Sequence, residues 1–186
     1  MIESILVTLF PVLFLIILFG GGALFRRRNI DMDGEAPVNR TLFYASKYSI
    51  VLLWGAMVLQ TWGINLSFVK VAGIIKWVSL FLWFSGFLLL LTGRLGMGDS
   101  FRLGSPREST CLKKGGLFSF SRNPMYLGVY ATLAASILYT MNPIVLVIGI
   151  FVTAVHHKIV LAEEQYLQKI FGNEYVDYCK CVRRYF

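Results

Sequence analysis

Three short groups of polar residues in the second half of the chain could do chemistry. In chain order they are Arg122-Asn123-Pro124, His156-His157 and Glu163-Glu164. An asparagine followed by a proline favours the start of a helix. The free N–H groups and partial positive charge of that helix end suit a carboxylate or phosphate. A glutamate that lies among apolar residues needs a cationic partner. Together the three groups predict a site for a small charged ligand.

The two glutamates and one of the histidines are candidate catalytic residues. Neighbours on a helix point about 100° apart, so Glu163 shares a face with Tyr166 and Leu167 while Glu164 turns away from it. Glu163, Glu164 or His157 could act as a general base. The alternative is a surface helix with two solvated acids. Adjacent histidines cannot clamp one metal ion from the same face, and the Cys-Lys-Cys sequence near the end of the chain has no further ligands nearby. We therefore expect no metal site.

The composition predicts the elements that must position these residues. The chain has 186 residues, of which 56% are hydrophobic and 15% are charged, whereas a soluble domain has about a quarter charged residues. The apolar residues come in long blocks, and about 20 of them cross a bilayer. The sequence therefore predicts an all-α polytopic integral membrane protein with five transmembrane helices. Their predicted bounds are residues 5–25, 48–66, 74–91, 125–141 and 143–155.

The last predicted helix continues past the apolar block to residue 171, as a C-terminal helical extension. Five spans place 16 of the 18 Lys and Arg residues on one side, which the positive-inside rule makes cytoplasmic. The N-terminus is then outside, and the C-terminus and the candidate site are cytoplasmic. Topology and contact with anionic lipids account for the net charge of +8, so we expect no nucleic-acid partner.

The two halves of the chain differ in character. Residues 1–91 form a predicted three-helix transmembrane scaffold, and residues 92–186 hold nearly all of the polar, specific-looking sequence. The glycine-rich stretch at 93–104 follows a membrane helix and lacks a strand–turn–helix context, so it does not predict a dinucleotide fold.

A resemblance to a known family adds to this interpretation. The chain reads SRNPMYLG at 121–128, NP at 142–143 and EEQYLQKIFGNEYVDYCKCV at 163–182. This combination resembles the isoprenylcysteine carboxyl methyltransferase family, which is grouped with phospholipid methyltransferases and other integral membrane methyltransferases. The resemblance covers about residues 94–184, and the small size is similar to prokaryotic-type members.

The resemblance implies an S-adenosylmethionine-dependent methyltransferase, with S-adenosylhomocysteine as product. The acceptor would be a lipophilic molecule that enters from the bilayer, and no obligate protein partner is evident. Glu163 would face the ammonium or sulfonium end of the cofactor. The other residues that the resemblance assigns to the cofactor are Thr110, Cys111, Leu112, Lys113, Phe118, Arg122, Asn123, Pro124, Met125 and Tyr126.

Two departures from the family pattern bear on the substrate. Asn123 stands where the family usually has a histidine, and Ile159 and Val160 stand where eukaryotic members have an arginine one turn before the first glutamate. That arginine is thought to hold the acceptor carboxylate. The alternatives are an NADPH-dependent sterol-type reductase, a non-catalytic membrane scaffold and, less favoured, a transporter.

Overall fold

The computed structural model describes residues 1–27, 38–97 and 111–186, and this part of the chain is helical with no strand. A short 3₁₀ turn at Gly116–Ser119 precedes the fourth helix. The described ranges contain six α-helices, which in order are α1 (Ile2–Arg27), α2 (Arg40–Thr61), α3 (Gly73–Met97), α4 (Pro124–Thr140), α5 (Pro143–Phe171) and α6 (Asn173–Cys181). The all-α prediction is thereby confirmed for the described residues.

Four helices of the described chain are long and apolar enough to cross a membrane. They are Ile2–Gly20 within α1, and α2, α3 and α5. The outer face of α3, for example, is apolar, since Trp77 and Phe81 are 72% and 71% exposed. Helix α4, the remaining predicted span, has 17 residues, or about 26 Å at the usual rise. The chain is therefore a multi-pass membrane protein, and the count of five spans stays a prediction.

The cap residues decide where two helices begin. The side chain of Asn142 accepts hydrogen bonds from the N–H groups of Ile144 and Val145, at 2.9 and 3.3 Å. Helix α5 starts there and runs 29 residues to Phe171, as predicted. The part of this helix that lies outside the membrane stays a prediction.

Helix α2 differs from its prediction of 48–66. Its cap is Asn39, whose side chain accepts from the N–H of Thr41 at 2.9 Å. The helix therefore starts eight residues early, and it ends before Gly63, which has a φ of +93° that favours glycine. Hydropathy alone placed Lys47 in a loop, whereas the structure places it inside α2.

Helices α3 and α4 approach each other closely through two glycines. A Cβ added to Gly128 would lie 2.7 Å from the carbonyl oxygen of Gly86 and 2.9 Å from Leu90. Beside this crossing, Trp54 of α2 donates a 3.0 Å hydrogen bond from Nε1 to Thr132. Gly128, the last residue of the SRNPMYLG stretch, is thus required by helix packing. The crossing holds the start of α4 at a fixed distance from α3.

The opposite end of the bundle is held together by polar contacts. Ser4 donates to the carbonyl of Thr61 at 2.8 Å, and the hydroxyl of Tyr139 donates to the carboxylate of Glu3. Asn142 also donates from Nδ2 to the carbonyl of Leu66 at 2.7 Å. These contacts join the start of α1 to the ends of α2 and α4, and the turn before α5 to the segment after α2. The other end of the bundle remains for a site.

Candidate functional site

A cavity of about 560 Å³ lies where α4 begins and α5 passes Glu163. One part of its lining is apolar and comes mostly from α1 and α2. The other part is polar and comes from α2, from the residues just before α4, and from α4 and α5. The apolar lining includes Phe14, Leu18, Phe19, Ile50, Val51 and Trp54; the polar lining includes Lys47, Arg122, Asn123, Tyr126, His156 and Glu163. Both predicted halves of the chain therefore contribute to one cavity.

Most of the predicted cofactor residues border this cavity. They are Cys111, Leu112, Lys113, Phe118, Arg122, Asn123, Pro124, Met125, Tyr126 and Glu163. Thr110, the remaining one, lies outside the described residues. Residues that are as far apart in sequence as Cys111 and Glu163 thus meet around one space.

Glu163 is joined to the first turn of α4. The hydroxyl of Tyr126 donates a hydrogen bond of 2.9 Å to Oε1 of Glu163. The ring of Tyr126 also lies 6.0 Å from the imidazole of His156, in an edge-to-face arrangement. The pair places a carboxylate at the border of the cavity, where it can attract a cationic group.

Asn123 does not cap α4 with its side chain, contrary to the prediction. Its Nδ2 instead donates to Oε1 of Glu164 at 3.1 Å and to the carbonyl of Arg184 at 3.3 Å. A carboxylate is a stronger acceptor than a neutral group, and it draws the amide away from the helix end. The first N–H groups of α4 are consequently not covered by this side chain, and the residues of this helix start, Asn123 to Tyr126, border the cavity.

Glu164 is the centre of an ion-pair network, so the alternative of two solvated acids is wrong. Arg122 approaches it with both Nε and Nη2, at 3.1 and 3.3 Å, and Nε of Arg184 donates to Oε2 at 2.9 Å. The side chains of Arg122 and Glu164 are each only 11% exposed. Arg122, which the resemblance assigns to the cofactor, is held in this pair. With its carboxylate oxygens accepting from two arginines and an amide, Glu164 is engaged as a structural anchor.

The two histidines differ in position. His157, the candidate base, is exposed and does not line the cavity. Its Nδ1 lies 2.9 Å from the hydroxyl of Tyr185, which in turn lies 3.4 Å from that of Tyr130. His156 is buried, lines the cavity, and has Nδ1 3.0 Å from the carbonyl of Val152. The histidine that meets the other site residues is therefore His156, which the sequence did not select.

The C-terminal segment holds the start of α4 in place. The N–H of Arg122 donates to the carbonyl of Arg183 at 3.0 Å, and its Nη1 donates to that of Val182 at 2.9 Å. Ser121 donates to the carbonyl of Arg184 at 3.1 Å. From the sequence, Arg183 and Arg184 indicated only on which side of the membrane the C-terminal segment lies. No local pattern predicted their contact with the start of α4.

Helix α6 holds the segment before α4. The hydroxyl of Tyr178 donates to the carbonyl of Phe118 at 2.5 Å, and Leu112 packs against the cluster of Tyr175, Tyr178 and Val182. Burial raises the pKa of Tyr178 to about 12. Burial likewise raises the pKa of Tyr175. Tyr175 and Tyr178 thus position the predicted cofactor segment.

Metal ligation has no support within the described residues, where no group of three His, Cys, Asp or Glu side chains is close enough to hold an ion. The chemistry available at the cavity is attraction of a cation by Glu163, attraction of an anion by the start of α4 and by Lys47, and enclosure of an apolar chain by α1 and α2.

Comparison with known proteins shows to which family the chain is related. The family model described as phospholipid methyltransferase matches residues 70–174, a stretch that contains α3, α4 and α5. A 68-residue segment is 40% identical to protein-S-isoprenylcysteine O-methyltransferase of Saccharomyces cerevisiae. That segment covers 36% of this chain and 28% of the yeast protein.

Proposed function

Since the chain belongs to the phospholipid methyltransferase family, we propose that it transfers a methyl group from S-adenosylmethionine to a lipid-borne acceptor at the membrane interface. The observation that carries this proposal is one cavity with a charged polar part and an apolar part. A polar cofactor and a lipophilic acceptor need such a site, because each must reach the other from a different solvent. The isoprenylcysteine carboxylate named by the yeast relative is one acceptor of this kind.

The residues fit the cofactor. Its ammonium or sulfonium end would lie beside Glu163, which Tyr126 orients. Its carboxylate would lie at the start of α4, whose N–H groups the side chain of Asn123 leaves uncovered. The segment from Cys111 to Lys113, with Phe118, would border the rest. When bound, S-adenosylmethionine supplies an electrophilic methyl group, whose bond to sulfur breaks as its bond to the acceptor forms.

The protein's part in the reaction is mainly positioning. A carboxylate acceptor is ionised near neutral pH and needs no base. Holding two reactants in line can lower a barrier by up to about 7–11 kcal/mol. An amine acceptor would need a base, and Glu163 is the carboxylate at the cavity that is not held by arginines. We assign Glu164 and His157 no proton transfer, because the former is ion-paired and the latter lies outside the cavity lining.

The same proposal includes an orientation. Five spans, with α4 as the short one, place the basic residues on the side of the site. The N-terminus is then outside, and the cofactor reaches the cavity from the cytoplasm. The acceptor enters from the bilayer past the apolar lining of α1 and α2.

The test is calorimetric titration of the detergent-purified protein with S-adenosylhomocysteine and, in parallel, with NADPH. We expect the first to bind with micromolar affinity and the second not to bind. Binding of NADPH alone would favour a membrane reductase. Binding of neither ligand, in protein shown to be folded by circular dichroism, would favour a non-catalytic scaffold.

A further inference from the structure

A second cavity lies at the end of the bundle opposite the candidate site. Its volume is about 500 Å³, and it is formed by the end of α2, the segment that follows, and the first turn of α3. Two lysines line it, Lys70 and Lys76, together with the polar side chains of Gln60, Asn65 and Ser67. None of its lining residues belongs to the cavity of the candidate site, so it is a separate place at which a ligand can bind.

The two lysines are exceptions in the distribution of charge. The five-span prediction places 16 of the 18 Lys and Arg residues on the side of the candidate site, and Lys70 and Lys76 are the other two. Residues 60–76 contain no Asp or Glu, and within the described ranges neither lysine forms an ion pair. The first turn of α3, which contains Lys76, has no acidic residue, although a helix start favours negative charge. Two cations therefore border one cavity whose lining has no carboxylate.

Glu3 is the acidic side chain near this end of the bundle, and it has another contact. It accepts a hydrogen bond from the hydroxyl of Tyr139 and does not line the cavity. The Nζ of Lys76 lies 5.8 Å from the centre of the Tyr139 ring, near the limit at which a ring attracts a cation. One carboxylate outside the lining leaves at least one of the two positive charges uncompensated.

Hydrogen bonds within the segment after α2 leave donors for a ligand. Oε1 of Gln60 accepts from the N–H of Leu66 at 2.6 Å, and its Nε2 donates to the hydroxyl oxygen of Ser67 at 2.8 Å. The N–H of Ser67 donates to Oδ1 of Asn65 at 3.1 Å. These bonds leave the hydroxyl hydrogen of Ser67 and the Nδ2 group of Asn65 as donors, beside two ammonium groups. Such a set of donors matches an anion with several oxygens, such as a phosphate.

An apolar stripe on α3 begins beside this cavity. Ile74, Trp77 and Phe81 are three and four residues apart, so they share one face of the helix, and all three are largely exposed. Phe68, which lines the cavity, is also exposed. Because α3 is long and apolar enough to cross a membrane, this stripe faces hydrocarbon. A ligand that fills the cavity and covers the stripe has an anionic head and an apolar chain.

We propose that this second cavity binds the headgroup of an anionic phospholipid. The two lysines pair with the phosphate, Ser67 and Asn65 donate hydrogen bonds to its oxygens, and an acyl chain lies along the apolar stripe of α3. Free phosphate offers the same oxygens but gains nothing from the stripe. This lipid site is independent of the proposed methyl transfer, which takes place at the other end of the bundle.

The test is tryptophan quenching in detergent micelles that contain phosphatidylglycerol with a dibrominated acyl chain. Dibrominated phosphatidylcholine is the comparison, because it carries the same phosphate but no net charge. Bromine quenches tryptophan at short range, and Trp77 lies on the stripe. We expect saturable quenching by phosphatidylglycerol at a concentration about tenfold or more lower than by phosphatidylcholine. The double variant Lys70→Gln/Lys76→Gln should lose this preference, and Trp77→Phe should reduce the saturable quenching.

The matched control is the double variant Lys158→Gln/Lys169→Gln, which removes two exposed charges of α5 that line neither cavity. It should keep the preference. Equal losses in the two double variants would show a general attraction of anionic lipid to positive charge and would overturn the proposal, as would a wild type that does not distinguish the two lipids. Inorganic phosphate in large excess should not displace the lipid. Displacement at a phosphate concentration equal to that of the lipid would assign the cavity to free phosphate instead.

Thermal unfolding distinguishes loss of the lipid site from loss of the fold. A ligand that binds only the folded state raises Tm as its concentration increases. Phosphatidylglycerol should therefore raise Tm in the wild type and in the control variant, but not in Lys70→Gln/Lys76→Gln. Without added lipid the three proteins should have nearly equal Tm, because all four lysines are exposed. Equal stabilisation of all three by phosphatidylglycerol would contradict the proposal.

Discussion

Tyr126 and Glu163 are joined by a hydrogen bond of 2.9 Å that connects the first turn of α4 to the middle of the polar stretch of α5. Both residues border the cavity. The bond fixes the direction of a carboxylate whose neighbour, Glu164, is ion-paired. Adjacent glutamates on one helix therefore have different surroundings: both border the cavity, but Glu164 is paired with two arginines and Glu163 with a tyrosine hydroxyl.

Substitution of Glu163 should weaken ligand binding without unfolding the protein. A hydrogen bond or ion pair with a charged group contributes about 1.5–3 kcal/mol, so Glu163→Gln should raise the Kd for S-adenosylhomocysteine about tenfold or more. Tyr126→Phe should have a smaller effect in the same direction, because it keeps the Glu163 carboxylate and removes only the hydrogen bond that orients it. Calorimetric titration measures both. Unchanged affinity in both variants would remove Glu163 from the cofactor site.

Substitution of Glu164 should affect stability. Removing one partner of a buried ion pair costs about 3–5 kcal/mol, because Arg122 would be left buried without its counter-charge. We expect Glu164→Gln to lower Tm by several degrees, as measured by circular dichroism in detergent. The matched control is Lys180→Gln, which breaks a pair whose side chains are 70% and 71% exposed and should leave Tm nearly unchanged. Equal Tm values in the two variants would contradict an anchoring role for Glu164.

Activity measurements can distinguish the roles of His156 and His157. Loss of a general base lowers kcat by about 10²–10⁴-fold. Since His157 lies outside the cavity lining and contacts Tyr185, His157→Gln should change kcat by less than about twofold. His156→Gln is the comparison within the cavity. A large fall in kcat for His157→Gln alone, with S-adenosylhomocysteine binding preserved, would restore His157 as a candidate base.

The close approach of α3 and α4 predicts that the stability of the protein depends on a glycine at position 128. Gly128→Ala places a methyl group 2.7 Å from a backbone oxygen of α3, and overpacking of this kind costs about 1–3 kcal/mol. Gly55→Ala in α2 is the control, because a Cβ there meets nothing within 4 Å; it should be neutral or stabilising by up to about 1 kcal/mol. Thermal unfolding of both variants checks this, and a Gly128→Ala protein as stable as wild type would show that the helices separate easily.

Alkaline pH should release α6 from the segment before α4. Burial raises the pKa of Tyr178 from its ordinary value of 10.0 to about 12. The neutral phenol is thus favoured in the folded state, and its contribution to stability is complete below pH 10 and lost as the pH rises toward 12. With Cys111 and Cys181 replaced by serine, the alkylation rate of the half-buried Cys179 should rise across this window. In Tyr178→Phe the rise should be smaller; an equal rise would assign the transition to another group.

Sequence alone predicted the all-helical membrane class, because blocks of apolar residues are a local property of the chain. It also predicted the start of α5 at Asn142-Pro143 and its end at Phe171, since caps and a terminal glycine are local signals. The methyltransferase family was identified from three short stretches, and residues of two of them, Arg122 to Tyr126 and Glu163 among them, border one cavity. Those predictions depended on residues that are neighbours in sequence.

Tertiary structure decided the partners of each polar group. Asn123 could cap its own helix or donate to Glu164, and only the arrival of α5 and of the C-terminal segment made the carboxylate available. Lys47 became a cavity residue because Asn39 starts α2 early and α2 packs beside α5. His156 and His157 are equivalent in local sequence, yet packing buried one and exposed the other. Charge pairing and burial depend on distances between segments far apart in the chain, which the order of the residues does not specify.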